Sequence, residues 1–581
     1  MTYKRIKNMK TNILKTAALG LLTLGFASCS SDFLDTESKT ETTTGNYFKT
    51  ETDAARALIG CYDGWQCTVS HGPTFCFLYL SELLSDECYG GTGANDARNS
   101  QVVDRFSINE DPSQVDLFNN LWQYYYEAIY RCNELIAHEN NIDWSSDAIH
   151  GQYMGEARAI RAICYFDLVR IFENIPLLTT PTRENVPQAA PDSVYAQIVA
   201  DLKYAAENIP AGAYPKSDAA NNDGRITPYA AKALLARVYL FYNGVYGGEP
   251  GSLTKAEALQ GLEDIIGSEE YSLIPLYKNL WYCASTNWEQ DANGNWSEVS
   301  TYAGDGNAET LLSMKFNYTS DYNGNSGGNN AIQMLSIRGG TFKAPYGQGW
   351  GGATVPRKMY NSFLNGDQRR DASIINLTAE GIASMDEYKK AIDDQREYTG
   401  FFNKKYTARS AYLQGADGSW SLTHYYNDVM AGDFQISQPI DYVIMRYADV
   451  LLMAAELGAS KAQNYFNQVR ERAYTVDNGD GTTSLSPSYS QKTLTQANIL
   501  EERRLEFAFE GQRYWDLRRQ DADGSAAAAA IVNSGETVTT GGNEETVTYT
   551  ASNITSKRGF MQIPNTQILL SNNVLKQNAG W

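Results

Sequence analysis

Apolar residues recur at intervals of three and four along several stretches of the chain, the spacing that lines one face of an α-helix. Phe118, Leu121, Trp122, Tyr125, Ile129, Cys132 and Ile136 form one such stripe between Val115 and Ile136. Ala157, Ile160, Cys164, Leu168 and Ile171 form a second, and Val194, Ile198, Leu202, Ala205 and Ile209 a third. Thr227 followed by Pro228 supplies an N-cap and a first-turn proline for a fourth helix, which turns Leu234, Leu235, Val238 and Phe241 inward. Late in the chain Ile444, Ala448, Leu451 and Ala455 make a further stripe, and Leu500, Phe507, Gly511 and Tyr514 another in a segment laced with Glu and Arg. The pattern predicts a mainly α protein. Trp122 and Trp515 fall on these stripes and read as core.

Between Tyr271 and Asp433 the helical period lapses into short runs broken by Gly, Asn, Asp and Ser, the signature of loops and short strands. Four of the ten tryptophans, Trp281, Trp288, Trp296 and Trp350, fall there. A second irregular insert spans Asp521 to Thr550. It runs through five alanines and then places Val538 and Val547 around Gly541-Gly542, which predicts a β-hairpin. The organisation read from these changes is a leader over 1–28, a Ser/Thr-rich tether over 29–46, a helical region over 47–270, a loop-rich variable region over 271–433 and a second helical region over 434–581.

The leader comes from the amino terminus. Lys4, Arg5, Lys7, Lys10 and Lys15 precede the apolar run Ala17 to Phe26, which meets Ala27-Ser28-Cys29. A charged region, a short apolar region and small residues before a cysteine describe a secretory signal that ends in lipidation of Cys29, although Phe26 stands where leucine is usual. Its removal takes away five basic residues and no acidic ones, moving the net charge from −20 to −25. That acidity argues against a nucleic-acid partner.

With four histidines, none spaced i,i+3 or i,i+4, and no C-x2-C pair, the chain has little material for a zinc site or a triad, and no cofactor is expected. Cys61, Cys67, Cys76 and Cys88 read as buried thiols, with a disulfide inside that cluster as the alternative. Asp291-Ala292-Asn293-Gly294-Asn295 starts like a calcium loop, but Trp296 and Tyr302 stand where glycine and the closing glutamate belong. Gly90 to Gly93 and Gly347 to Gly352 lack the G-K-[ST] of a phosphate loop and read as tight turns. In Glu501 to Arg519 the pairs Glu501–Arg504, Arg503–Glu506 and Glu510–Arg513 read as a ladder of i,i+3 ion pairs on one helix.

Several segments, in order, resemble the SusD/RagB family of outer-membrane nutrient-binding lipoproteins. They are Cys29-Ser30-Ser31-Asp32-Phe33-Leu34-Asp35, Gly155 to Arg170, Ala230 to Leu240, Met445 to Leu452, Phe509-Glu510-Gly511 with Trp515-Asp516-Leu517-Arg518, and Ile563-Pro564 through Gln577-Asn578 to Gly580-Trp581. The resemblance implies a SusD-like fold of tetratricopeptide-like helical pairs carrying an irregular ligand-binding region. It also implies an outer-membrane location facing the cell exterior and delivery of oligosaccharide, or peptide in some lineages, to a SusC-like TonB-dependent transporter. The chain departs from the family in its region 271–433.

A sugar offers an apolar face and a rim of hydroxyls, so its site needs a flat ring beside amides, carboxylates or guanidinium groups. Trp281 with Tyr282, Trp288, Trp296 and Trp350 sit in such company. Asp86, Tyr89 and Asn95, with Asp96 and Arg98, form a second candidate group, and the resemblance implies that the early loop and the variable region act together. The function expected is non-catalytic glycan binding. Three rivals are a peptide ligand in the same fold, a helical scaffold that contacts only the transporter, and a secreted glycoside hydrolase using an acid such as Glu289 or Glu298.

Overall fold

The computed structural model describes residues 47–70, 75–219, 224–317, 327–339, 345–414, 420–424 and 438–581. Cys29, the leader and the tether lie outside the described residues. Eight longer helices pair in sequence order: α1 (Glu51–Ser70) with α2 (Asn119–Ala137), α3 (Asp147–Phe172) with α4 (Pro191–Asn208), α5 (Pro228–Tyr246) with α6 (Lys255–Ser268), and α7 (Tyr447–Leu457) with α8 (Ala462–Ala473). Each pair also packs on the next, so α2 meets α3, α4 meets α5 and α6 meets α7. The result is the helical-pair architecture expected.

Local chemistry sets the helix ends. Thr227 accepts a hydrogen bond from the Ala230 amide and Pro228 opens α5, as the sequence predicts. Thr254 and Glu257 form a full capping box on α6. α2 starts at Asn119 rather than near Val115, because Val115 and Asp116 accept hydrogen bonds from the amides of Asn565 and Thr566 and so bind the carboxy-terminal segment instead. α3 is buried on nearly every face. At Gly155 a Cβ would stand 2.6 Å from Ile209, so only glycine lets α4 approach this closely. The polar groups of α3 are consequently buried in pairs: Arg161 donates twice to Asp201 at 2.7 and 2.8 Å, and Glu156 accepts twice from Arg225. Trp122 and Trp515 lie in the core.

The chain between α6 and α7 holds short strands. Strands Tyr89–Gly90, Ala353–Thr354, Phe401–Asn403 and Ile374–Asn376 make a small antiparallel sheet in that spatial order. Thr310–Met314 pairs with Tyr442–Arg446, leading directly into α7. Thr286–Gln290 and Trp296–Ser300 form a hairpin, and so do Thr537–Thr540 and Asn543–Thr546 around the predicted Gly541-Gly542 turn. The five alanines before it are helical, within Ser525–Ser534.

The charged segment after α8 differs from the ladder read in sequence. α9 (Gln496–Glu506) and the turn beyond it point their charges at other elements. Glu506 pairs with Arg446, Arg472 and Arg369, and Glu510 with Arg446 and Lys405. Arg503 pairs with Asp449 and Asp516, while Arg504 and Arg513 both reach Asp86. Glu309 completes the cluster by pairing with Arg446 and Arg472. Apart from the partly buried Arg504 and Arg513, these charges are buried. An i,i+3 rule measures distance along one helix; here the partners come from segments that only the fold brings together.

All seven described cysteines, Cys61 to Cys283, are buried, and no disulfide joins any of them. Among the described residues no helix is long and apolar enough to cross a membrane.

Candidate functional site

Three segments run side by side at the four-stranded sheet: Gly91 to Arg98 after its first strand, Gly347 to Gly352 before its second, and Asp393 to Glu397, which ends the helix Asp386–Asp394 and leads toward its third. Backbone hydrogen bonds lace them together. Thr92 donates to the Gly351 carbonyl at 2.8 Å, Ala94 to Asp394 at 2.7 Å and Arg396 to Thr92 at 2.9 Å. A Cβ on Gly91 would collide with the Gly351 carbonyl oxygen, and Gly351 itself has φ of 61°, so the two glycines permit the approach. The Gly541-Gly542 turn of the late hairpin closes the group, with the Gly541 amide donating to Gln395 at 3.0 Å.

These loops frame a groove of about 560 Å³ lined by Arg338, Gln348, Trp350, Asp393 and Asp394. The backbone amide of Trp350 is anchored to the Gln333 carbonyl at 2.6 Å, while its side chain is 36% exposed, unusual for an indole. Arg338 is held from two sides, by Asp394 at 2.8 Å and Asp96 at 3.6 Å. Buried side-chain oxygens in the same segments, Thr92 Oγ1, Gln333 Oε1, Ser336 Oγ and Gln395 Oε1, have no hydrogen-bond partner in the protein. Below the loops, the buried Glu397 carboxylate pairs with Arg105 at 2.5 Å. Burial outweighs that guanidinium and pushes the carboxyl up to about 8.

The groove therefore offers an exposed flat ring, a fixed guanidinium, two exposed carboxylates and the side-chain amide of Gln348. Such a site can stack on an apolar face and hydrogen-bond a polar rim. It is poorly arranged for acid–base cleavage. Glycoside hydrolysis needs two carboxyls facing each other across the bond. Here Asp96 and Asp394 converge on one guanidinium, and Asp393 adjoins Asp394.

Of the residues expected from sequence, Trp350 and Asn95 come to this place; Asn95 is exposed in the first loop beside Asp96. Trp288 sits on the 286–300 hairpin opposite Glu298. Its neighbour Asn287 accepts from Arg409, whose backbone bridges Tyr346 at the base of the Trp350 loop. Trp296 pairs with Gln290 in the same hairpin. The first residues of that hairpin's turn fail as a calcium loop in three dimensions too: Asp291 accepts from the amides of Asn293 and Asn295 and simply closes the turn.

Four other expected residues face inward. Trp281 is 3% exposed, with the Lys405 ammonium 4.6 Å and the Arg446 guanidinium 5.7 Å from its ring. Tyr282 is buried against Tyr302. Asp86 lies between Arg513 at 2.7 Å and Arg504 at 3.1 Å; burial opposes its charge, yet these two cations hold its carboxyl down to about 2. Tyr89 is fully buried and donates to the Ser534 carbonyl at 2.6 Å. In each case a partner distant in sequence uses the side chain, which the local loop-like context does not reveal. Sequence reasoning passed over Asp393, Asp394 and Gln395, whose only signal was a polar run with no aromatic in it, and Arg338, a lone cation between an apolar stretch and two glycines.

Residues 286–581 match a family described as SusD family, and residues 32–240 one described as starch-binding associating with outer membrane. SusD-like protein P2 of Formosa agariphila is 27% identical over 82% of this chain and 84% of its own length. A laminarin-binding SusD-like protein of known structure is 25% identical with a TM-score of 0.66, covering 92% of this chain and all of that one. Surface glycan-binding protein A from Bacteroides thetaiotaomicron in complex with laminarihexaose is 22% identical with a TM-score of 0.67, covering 91% of this chain and all of that one.

Proposed function

The chain belongs to the SusD family, and we propose that it is a non-catalytic glycan-binding protein, anchored to the outer membrane by a lipid on Cys29 and facing the cell exterior. It captures an oligosaccharide in the Trp350 groove and passes it to a SusC-like TonB-dependent transporter. The observation that carries this reading is the 36% exposed indole of Trp350 beside a doubly held Arg338 and exposed carboxylates. A flat ring can stack on the apolar face of a sugar, and the guanidinium and carboxylates can pair with its hydroxyl rim. Asn95, exposed beside Asp96, extends the polar side of the same site.

Laminarin-type oligosaccharides, bound by two of the similar structures, are the first probe. Calorimetry with laminarihexaose and a panel of other neutral oligosaccharides should give binding to at least one, and Trp350→Ala should weaken that binding. The bound sugar should be recovered at full length after overnight incubation. Release of reducing ends would identify a hydrolase, and binding confined to peptides would identify the peptide-binding alternative.

A further inference from the structure

A groove of about 710 Å³ shares no lining residue with the Trp350 site. Its floor is one face of α2. Trp122, Tyr126 and Tyr130 follow each other at i, i+4 and i+8, so their rings descend the helix in a row with a rise of about 6 Å per step. Trp122 and Tyr126 lie 5.1 Å apart between ring centres, and Tyr130 is 48% exposed. The walls are the 176–186 segment on one side and the carboxy-terminal helix Asn565–Leu570 on the other.

The row is held in place. The Tyr126 hydroxyl donates to the Pro176 carbonyl at 2.8 Å, which fixes the ring and spans from floor to wall. Asn133 and Tyr165 both donate to the Leu178 carbonyl, at 2.9 and 2.7 Å, anchoring that wall from beneath. Gln567 donates to Asn119 at 2.8 Å and anchors the opposite wall to the start of α2. Polar side chains flank the rings: Gln123 and Glu127 are exposed on α2, with Gln567 across from them.

We propose that this groove is a second carbohydrate-binding site, taking a neutral oligosaccharide along the α2 ring row independently of the Trp350 groove. The exposed Tyr130 ring and the half-buried Tyr126 ring, backed by the core indole of Trp122 and edged by amide and carboxylate groups, match the apolar face and hydroxyl rim of a sugar chain. An acyl chain would leave Gln123 and Glu127 unpaired against hydrocarbon. Both walls are already tied down, so binding costs little ordering.

The test is calorimetry with laminarihexaose and maltohexaose on the mature chain and on Trp350→Ala, Tyr130→Ala, Gln123→Ala and the Trp350→Ala/Tyr130→Ala double variant. Trp350→Ala should retain millimolar binding of at least one sugar. Adding Tyr130→Ala should weaken that residual binding at least ten-fold, and Gln123→Ala should weaken the same component, with thermal midpoints unchanged because both side chains are exposed. A Trp350→Ala variant that binds neither sugar overturns the proposal, as does residual binding that Tyr130→Ala leaves intact. If Tyr130→Ala instead alters the oligomeric state in sedimentation while sugar binding persists, the groove is a protein interface and the proposal falls.

Discussion

Trp350 and Trp281 are chemically identical and sit in the same irregular region, yet they should respond in opposite ways to truncation. At Trp350 the residue is 36% exposed, so Trp350→Ala should lower the thermal midpoint far less than truncation at Trp281 does. It should raise the Kd for a bound oligosaccharide five- to thirty-fold, about 1–2 kcal/mol. At Trp281 the ring is enclosed by Tyr277, Tyr406, Lys405 and Arg446. Trp281→Ala should therefore cost about 3–5 kcal/mol of stability, seen as a lower denaturant midpoint. A binding loss without destabilisation at Trp281 would reverse the assignment of the two. Local sequence marked both as aromatic residues in loop territory, and at that level they are equivalent. What separates them is the arrival of Lys405 and Arg446, which no window around residue 281 contains. Asp86 follows the same logic, since its loop position is overridden by Arg504 and Arg513 from the far end of the chain.

At the scale of elements, the helices were legible because a 3.6-residue period is a local property, and Thr227-Pro228 and Gly541-Gly542 marked their helix start and hairpin turn for the same reason. The buried charge cluster around α9 was legible only as a charged helix. Its energetics belong to inter-element contacts, where losing one partner leaves the others buried and uncompensated. Glu506→Gln should thus cost about 3–5 kcal/mol, well beyond a surface ion pair, which equilibrium denaturation would read directly. The pH dependence follows from the same groups. Burial works against the Glu506 charge, but Arg472, Arg446 and Arg369 prevail and hold the carboxyl down to about 2. Its contribution is complete above the ordinary glutamate value of 4.5 and is lost as pH falls toward 2. Glu397 behaves oppositely. Burial raises it to about 8, so its contribution is complete below 4.5 and is lost as pH rises through 8. From these two groups the denaturation midpoint should be highest near about pH 5 and fall on either side. Glu506→Gln should flatten the acid limb, and Glu397→Gln the decline between about pH 5 and 8.

At the scale of the whole molecule, the Trp350 groove is assembled from chain segments near residues 95, 338, 350, 394 and 541, so no single stretch of sequence could display it. The chain's acidity, in contrast, is visible from composition alone, and the fold focuses it at this groove. Asp96, Asp393 and Asp394 stand exposed around the Arg338 guanidinium, on a chain of formal charge −20. Like charge at a binding rim repels an anionic ligand both on approach and when bound. Neutral oligosaccharides should therefore bind this groove more tightly than uronic-acid chains of the same length. The comparison is best made with laminarihexaose and hexagalacturonate in the Tyr130→Ala variant, which removes the α2 groove from the measurement. Salt separates repulsion from poor shape. Raising ionic strength from about 0.02 to about 0.3 M shortens the screening length from tens of ångströms to a few. The gap between the two sugars should then narrow through stronger uronate binding, with the neutral sugar unaffected. Asp393→Asn with Asp394→Asn should narrow it in the same direction at low salt. A uronate that binds better than the neutral hexamer at low salt would place Arg338 in charge of recognition and make the groove selective for acidic glycans.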